Sequence, residues 1–379
     1  MKRYILTAVA ASVVTASLCQ GRFAFSDTYN YIDTTRAGEV LLRIVNEDFF
    51  KNDEYFGDYV EGYTLVGYML QPSIVYYPAA NLSLEVGARM LQYGGDDRYD
   101  KVAPVLTVQW RMNPHFTVAM GAIPGGMHHT LHEAMWDDEY QLIGMPEIGA
   151  HVRGEAAAIS GEVWINWQQF IKRYDTIPEK FTAGIAFDYH PSKSGAGWKF
   201  EMPLRIIVSH IGGQISDYEE RMQSLCNGSL EARLRRVYPE VSFVREWHAA
   251  LRGLFFYTMA GADVRPFANG AAFNPEVGLD ARWFDLTLSY FAARNYYSLY
   301  GNPLYMSLSN YKEDVYNVHR NMAIVEGNIN WTITPAARFS VGGKGYYDPD
   351  AQQMEYYYGF NLVLTPTLRL LRNVYPVGG

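Results

Sequence analysis

The segment NLSLEVGARMLQY, residues 81–93, alternates apolar and polar side chains from Leu82 to Met90. Successive side chains of a β-strand point to opposite faces, so one face of this segment is apolar and the other is polar. A soluble sandwich packs its apolar face on a second sheet, whereas a membrane barrel turns that face to lipid and keeps a polar interior. Over the chain as a whole, charges fall on the polar parity and many aromatic residues on the apolar one, so the pattern predicts a transmembrane β-barrel.

The same alternation repeats from about Arg36 onward and divides the chain into candidate strands. Short connections that mostly contain proline alternate with long polar ones, and proline marks where pairing stops because it lacks a ladder donor. Short turns face the periplasm in outer-membrane barrels, and long loops face outside. We therefore predict an all-β, antiparallel transmembrane β-barrel of about 16 strands, with 14 as the alternative. The predicted strands are 38–48, 62–77, 82–93, 102–112, 116–122, 148–156, 160–171, 180–189, 199–210, 227–236, 242–260, 271–280, 284–294, 318–333, 337–347 and 354–364.

The N-terminus has the pattern of a secretory signal. Lys2 and Arg3 precede an apolar stretch, and small residues then permit cleavage after Cys19 or Gly21. Beyond residue 20, no run of 18 or more apolar residues predicts a spanning helix. We expect a signal peptide at 1–21, a short periplasmic segment at 22–37 and the barrel at 38–379, located in the outer membrane.

Composition excludes one class of partner and fits the barrel. The formal net charge of −8 argues against nucleic acid, because nucleic-acid binding needs a basic patch or stripe. The 30 Tyr, 19 Phe and 8 Trp residues suit aromatic girdles at the two membrane interfaces. Cys19 lies in the signal and Cys226 is the second of two cysteines, so the mature protein is expected to have no internal disulfide.

Fourteen charged residues fall on the parity opposite the predicted lipid face. A lysine or arginine facing lipid near the midplane costs about 2–4 kcal/mol, so we expect these charges to point into a wet, nearly charge-balanced lumen. A barrel of about sixteen strands encloses an aqueous channel unless loops fill it. The candidate pore-lining residues are Arg43, Glu85, Arg89, Arg111, Glu162, Asp188, Lys199, Glu201, Arg205, Asp285, Glu326, Arg338, Lys344 and Glu355.

The most distinctive loop is GGMHHTLHEAMWDDEY, residues 125–140, which we call the histidine loop. Its Gly-Gly start, its length and its position after a short strand favour a loop that folds into the lumen and narrows it. Three of its residues, His129, His132 and Glu133, are of types that bind metals, but their spacing matches neither the HExxH helix nor a closed tetrahedral site, so we predict no metal. The candidate constriction residues are His128, His129, His132, Glu133, Asp137 and Asp138.

A lipid-hydrolysing enzyme would need a serine with a histidine oriented toward it near the lipid interface. Ser209 with His210, at the end of a strand, is one candidate pair, and Ser307 with His319 is another. Serine and histidine often occur near each other in polar loops, and a nucleophile is recognised only by a base placed beside it in space. We therefore predict no catalytic residue and no enzyme.

Four segments resemble a group of porin-like outer-membrane barrels of Gram-negative bacteria. They are the histidine loop, VWINWQQFIKRYDTIPEKFTAGI (163–185), SHIGGQI (209–215) and YGNPLYMSL (300–308). The resemblance implies a single-chain barrel with these loops outside. It implies no substrate and transfers no catalytic residue.

The predicted function is passive permeation of small hydrophilic solutes, with outer-membrane lipid and those solutes as partners and without a cofactor. One rival is an outer-membrane enzyme that acts on lipid, for which a Ser–His pair at the rim and a closed lumen would be the marks. A second rival is a structural or adhesive barrel that binds a partner through its long loops. The solute and the oligomeric state are left open.

Overall fold

The computed structural model describes residues 28–191, 197–213, 215, 217–218, 221–239 and 241–374. Within these ranges the first sixteen strands pair antiparallel, each with the next along the chain, and the first strand pairs with the second, with the sixteenth and with a short seventeenth. The sheet is thereby closed, and the predicted antiparallel barrel is confirmed. The predicted signal peptide, residues 1–21, lies outside the described residues.

Sixteen strands form the wall, and a short seventeenth segment extends the last of them. The helices are few and short: α1 (Tyr140–Ile143) and the 3-10 turns Thr34–Arg36, Gly126–His129, Ala262–Val264 and Pro303–Tyr305. Among the described residues, none of these helices is long and apolar enough to cross a bilayer. The strands are β1 (Val40–Glu54), β2 (Thr64–Ala79), β3 (Leu82–Tyr93), β4 (Lys101–Asn113), β5 (Phe116–Ala122), β6 (Ile148–Glu155), β7 (Ile159–Gln169), β8 (Glu179–Tyr189), β9 (Trp198–Gly212), β10 (Gln223–Val237), β11 (Val244–Ala260), β12 (Asn269–Ala281), β13 (Phe284–Arg294), β14 (His319–Thr334), β15 (Ala337–Asp348), β16 (Gln353–Leu364) and β17 (Thr367–Leu371).

All sixteen predicted strands are present, and the main differences are at the extracellular ends of β1 and β10. The sequence predicts a loop from Phe49, but the strand continues to Glu54 because residues 49–54 remain paired with 356–361 of β16. Similarly, β10 begins at Gln223, where it is paired with the end of β9. Cross-strand pairing therefore extends strands into segments that look like polar loops in the sequence alone.

The C-terminal segment continues the last strand. Thr365–Thr367 is predicted as a turn, yet β16 and β17 pair with β1 in one register, with Asn46 opposite Leu364 and Arg43 opposite Thr367. The Ile44 N–H donates to the Pro366 carbonyl at 3.0 Å between the two segments. Proline here marks the end of pairing with β15, and β17 pairs only with β1.

The two faces of the wall follow the predicted parity. On β3, Ser83, Glu85 and Arg89 are 2%, 4% and 7% exposed, whereas Val86 is 58% exposed toward the membrane. Most of the exposed large apolar side chains of the strands belong to the lipid-facing parity, among them Val163, Ile185 and others on β4, β11 and β13. This arrangement is the one expected of a barrel in a bilayer.

The extracellular half of the lumen is filled rather than wet. Loop residues such as Leu131, Met135 and Tyr305 form one apolar cluster with inward wall residues such as Phe256 and Phe291. The prediction of a polar lumen is therefore wrong for this half. Apolar side chains on the inward parity of β7 and β10–β15 form an inner surface of the wall, and the loops pack against it.

The N-terminal segment lies inside the barrel on the other side. Arg43 and Gln71, on the inner face of β1 and β2, both donate to the Thr28 carbonyl, and Gln109 of β4 donates to that of Asn30. The Tyr31 hydroxyl meets His128 Nδ1 of the histidine loop at 2.9 Å. The described part of the segment 22–37 thus fills the lumen from the periplasmic side and touches the loop that enters from outside.

The wall is lowest at β5 and β6. The register between β4 and β5 ends at Thr107 opposite Gly121, so residues 101–106 of β4 extend beyond the end of β5. On the other side, the pairing of β6 with β7 ends at Gly149 opposite Asn166. Residues 101–106 of β4 pair with β3 but have no partner on the β5 side, and at about 3.3 Å per residue they border a notch about 20 Å deep along the strand. The histidine loop lies behind this notch.

Candidate functional site

The structure places the candidate pore-lining residues on the inner parity of the wall. Several are joined in ion pairs between strands: Arg205 with Asp188 (2.7 Å) and Lys344 with Glu326 (3.2 Å) on adjacent strands, and Arg43 of β1 with Glu85 of β3 (3.8 Å) across β2. Lys199 is exposed near the periplasmic rim. The others have separate partners: Arg89 with Glu47 and Glu147, Arg111 with the Pro114 carbonyl in the turn after β4, Glu162 with His129, Glu201 with Arg235, Asp285 with Asn328, and Glu355 with the Phe56 N–H in the loop after β1, while Arg338 is half-buried.

His129 is the most enclosed histidine of the histidine loop. Its Nδ1 lies 2.7 Å from Glu162 of β7, and its ring stacks on Trp164 with centroids 3.7 Å apart. Glu162 also meets His151 of β6 at 3.0 Å. Burial alone would lower the pKa of His129, but the nearby carboxylates of Glu147 and Glu162 raise it to about 9. At neutral pH this histidine is a buried cation held between carboxylates.

Glu133 anchors the other end of the loop. Its carboxylate accepts hydrogen bonds from Lys344 and Tyr346 of β15, and from Asn302 and Tyr305 of the loop 295–318. Burial would raise the pKa of Glu133, but the ammonium of Lys344 and these donors hold it at about 2. A buried carboxylate needs such hydrogen bonds, and here they hold the loop in one position.

The remaining loop residues have local partners. His132 Nδ1 accepts from the Ala134 N–H at 3.0 Å, and the Asp137 carboxylate accepts from the Glu139 N–H at 3.0 Å. Burial and the charge of Glu139 raise the pKa of Asp137 well above its ordinary value. The Asp138 carbonyl accepts from Gln141 in the turn that begins α1. All six candidate residues thus lie in or beside the lumen, but they do not converge on one point.

The structure separates the three residues considered as metal ligands. His129 bonds Glu162, His132 bonds its own loop backbone and Glu133 bonds Lys344. Among the residues described, no group of three or more His, Cys, Asp or Glu side chains could hold a metal ion. Each of these side chains has a structural partner instead, and the partners fix the loop in the lumen.

The two Ser–His pairs considered in the sequence are not assembled. Ser209 is buried on the inner face of β9, 3% exposed, so it lies on the opposite side of the strand from His210. Ser307 is fully buried and its Oγ accepts from the Tyr296 N–H, whereas His319 is exposed at the start of β14. Strand alternation separates the first pair, and loop packing separates the second.

A different pair is assembled, and the sequence-based reasoning missed it. His210 Nδ1 lies 2.8 Å from the Ser224 hydroxyl, across the hairpin of β9 and β10. The two residues are directly opposite in the register, and both lie on the parity that faces lipid. Nothing in the sequence around Ser224 indicates by itself that this serine lies beside a histidine. Pairing the ends of two strands that flank one extracellular loop would have revealed the contact.

Aromatic rings continue the row to which this pair belongs. The His210 ring stacks on Phe181 of β8 with centroids 4.9 Å apart, and Phe181 stacks on Trp167 of β7 at 5.1 Å. Trp167, Phe181, His210 and Ser224 are consecutive cross-strand neighbours on four adjacent strands. The row lies at the extracellular ends of those strands, which is the level where aromatic residues mark the boundary between hydrocarbon and headgroups.

Residues 32–373 match the sequence profile of a family described as lipid A 3'-O-deacylase-type. The match covers most of the chain. The chain belongs to the lipid A 3'-O-deacylase-type family. Because this is an enzyme family, the prediction that the protein is not an enzyme is wrong. The family and the barrel fold together place the protein in the outer membrane of a Gram-negative bacterium.

Solved structures of porin-like barrels resemble this family member in fold. OprB of Pseudomonas putida is 8% identical, with a TM-score of 0.53, and the match covers 87% of this chain and 94% of OprB. OprD of Pseudomonas aeruginosa is 10% identical, with a TM-score of 0.49, over 93% of this chain and 99% of OprD. The likeness to OprB confirms the predicted resemblance to porin-like barrels at the level of fold. No curated protein matches the chain.

Proposed function

We propose that this protein is an outer-membrane hydrolase that cleaves an ester-linked acyl chain from lipid A or a closely similar glycolipid of the outer leaflet. The observation that carries the proposal is the match of residues 32–373 to the lipid A 3'-O-deacylase-type family. The serine and histidine at the lipid-facing rim supply a chemistry that fits this reaction.

Ser224 and His210 have the geometry of a nucleophile and its base. In the proposed reaction, His210 Nδ1 takes the hydroxyl proton while Ser224 Oγ attacks the ester carbonyl carbon, which forms a tetrahedral intermediate. Collapse of the intermediate breaks the bond to the sugar oxygen, which receives the proton from His210, and leaves an acyl-serine. A water molecule, deprotonated by His210, then attacks the acyl-serine and releases the fatty acid. A serine hydroxyl is a weak nucleophile unless a base lies within hydrogen-bond reach, and 2.8 Å satisfies that condition.

The position of the pair suits a lipid substrate. Ester linkages of membrane lipids lie between the hydrocarbon core, about 30 Å thick, and the headgroups. The aromatic row of Trp167 and Phe181 lies beside the pair at this level. A glycolipid diffusing in the outer leaflet therefore reaches Ser224 directly from the bilayer.

The filled lumen favours this function over the predicted permeation. The histidine loop and the loop 295–318 pack into the extracellular half as one apolar cluster, and residues from Thr28 onward occupy the periplasmic side. A permeating solute would have to displace well-packed side chains such as Met135 and Tyr305. A closed lumen and a Ser–His pair at the rim are the two features expected of a barrel that acts on lipid.

The test uses the purified full-length protein in nanodiscs that contain lipopolysaccharide, with released fatty acid measured by mass spectrometry. The wild type should release fatty acid, and Ser224→Ala should lower the rate by about 10³-fold or more, as loss of a nucleophile does. Ser209→Ala is the matched control, since this serine adjoins His210 in sequence but faces the lumen. A wild type that releases no fatty acid contradicts the proposed function, and unchanged turnover by Ser224→Ala contradicts the assigned nucleophile.

A further inference from the structure

A cavity of about 400 Å³ opens at the notch above β5 and β6. Its lining includes Arg89 and Asn166 on the inner face of the wall, and Ile148 and Trp167, which are 41% and 39% exposed on the outer face. The histidine loop forms its inner wall. The cavity thus connects the lumen sideways with the level of the outer leaflet, and its volume is in the range of about 300–1,000 Å³ typical of ligand sites.

Three buried polar atoms of the lining residues have no hydrogen-bond partner among the residues the structure describes. Two are donors, Arg89 Nε and Trp136 Nε1, and one is an acceptor, Glu147 Oε2. The nearest opposite charge to Glu147 Oε2 is His129 Nε2, at 3.8 Å. A buried donor or acceptor that lacks a partner costs about 1–3 kcal/mol, so a ligand that supplies both kinds of partner would be bound favourably.

Aromatic rings line the same cavity. Trp136 packs against Tyr300 and Tyr140, with ring centroids 5.2 and 5.5 Å apart, and the Tyr300 hydroxyl donates to Gln168 at 2.6 Å. Burial raises the pKa of Tyr300 to about 12, so its hydroxyl keeps its proton at neutral pH. The cavity therefore combines flat apolar ring faces with unpaired hydrogen-bonding atoms at their edges.

The Gly-Gly start of the histidine loop permits this geometry. Gly126 has a φ of +41°, and a Cβ there would overlap Gln141 Nε2 and lie 3.1 Å from Trp136 Nε1. The Gly126 N–H donates to Glu147 Oε1 at 2.7 Å, which orients the carboxylate and leaves Oε2 toward other partners. A larger residue at 126 would displace Gln141 and crowd the Trp136 indole.

We propose that this cavity is a saccharide-binding site. Sugar hydroxyls both donate and accept, which matches one acceptor and two donors, and the C–H faces of a pyranose ring pack on aromatic rings. The charged groups that line the cavity are Glu85, Arg89 and Glu147, so acidic groups outnumber basic ones and an isolated phosphate is a poorer fit. The saccharide could come from either of two sources. One is the sugar headgroup of an outer-leaflet glycolipid that enters through the notch, and this assignment rests on the proposed hydrolase function. A free sugar is the other source of the same chemistry.

The experiment measures binding to the full-length protein in the Ser224→Ala background, where turnover cannot consume the ligand. The probes are free N-acetylglucosamine disaccharide, followed by saturation-transfer NMR, and nanodiscs of lipopolysaccharide or of phospholipid alone, followed by tryptophan fluorescence. Trp136→Phe keeps an aromatic ring but removes the donor, and Glu147→Gln keeps the acceptor for Gly126 but replaces Oε2 by an amide. Each should weaken binding by about 2- to 10-fold. Trp331→Phe, a lipid-facing residue on β14, is the matched control, and the mobility of unheated protein in detergent gels shows that each variant is folded.

Binding of the free disaccharide that both variants weaken supports the site with soluble sugar as a ligand. Binding of lipopolysaccharide nanodiscs without binding of the free disaccharide, weakened by both variants, supports the site with the glycolipid headgroup as its ligand. Absence of binding to both probes, or binding that neither variant changes, overturns it. Fatty-acid release by the wild type is read separately: release without saccharide binding removes this inference only, and binding without release removes the hydrolase only.

Discussion

Two histidines on adjacent regions of the barrel have opposite surroundings. His129 is 1% exposed in the lumen, stacked on Trp164 and bonded to Glu162, whereas His210 is half-buried at the lipid-facing rim beside a serine hydroxyl. The first has carboxylates as partners and is therefore held as a cation that fixes a loop. The second has a neutral hydroxyl as its partner and lies on the lipid-facing side, which suits the proposed role of a general base. The comparison teaches that the sequence feature that attracts most notice, the histidine loop, need not be the one that performs chemistry.

The test with the largest expected effect removes each of the two histidines in turn. We expect His210→Ala to lower the release of fatty acid by about 10²–10⁴-fold with little effect on folding, because a general base is lost. His129→Ala should lower the rate only a few-fold but destabilise the protein by about 3 kcal/mol, since Glu162 loses a buried charged partner. Fatty-acid release and the urea midpoint of unfolding measure the two effects. Similar effects of the two variants on both measurements would remove the distinction.

A smaller effect concerns the pH dependence of the histidine loop. The pKa of His129 is raised to about 9 from an ordinary value of 6.5, so its contribution to stability is fully present below about pH 6.5 and is lost as pH rises through about 9. Because His129 stacks on Trp164, the difference in fluorescence between wild type and Trp164→Phe should titrate near pH 9. The matched control is His129→Asn, which should abolish that transition. A midpoint near 6.5 in the wild type would mean that the carboxylates do not hold the cation.

The smallest effect concerns the ring beneath His210. Phe181→Ala removes the stacking partner, and because such ring pairs contribute about 0.5–1.5 kcal/mol, we expect the rate of fatty-acid release to fall by about 2- to 10-fold. Phe187→Ala, on the same strand and the same face but toward the periplasm, is the control. Equal losses in both variants would show that β8 acts only through its contact with lipid, and not by orienting His210.

The sequence by itself determined the barrel. Strand alternation with a period of two is a local property, and in a membrane every wall residue must face either lipid or lumen, so the parity of segments such as 82–93 was sufficient to predict strands and faces. Proline in the turns and the long polar loops gave the orientation. The inward positions of residues such as Glu85 and Arg205 therefore follow from the alternation alone.

Only the tertiary structure decided what fills the lumen and which residues form the proposed catalytic pair. The apolar cluster joins Met135 to Phe256 and Tyr305, which are both more than a hundred positions away from it, and no local pattern predicts such packing. The Ser224–His210 contact depends on the register of β9 and β10, and a shift of β10 by one residue would turn Ser224 inward, away from His210. Likewise Glu147 and Trp136 face Arg89 only because the histidine loop folds back behind the notch. Local alternation specifies the faces of a strand, but cross-strand register and loop packing are long-range properties, and they alone bring catalytic and binding groups together.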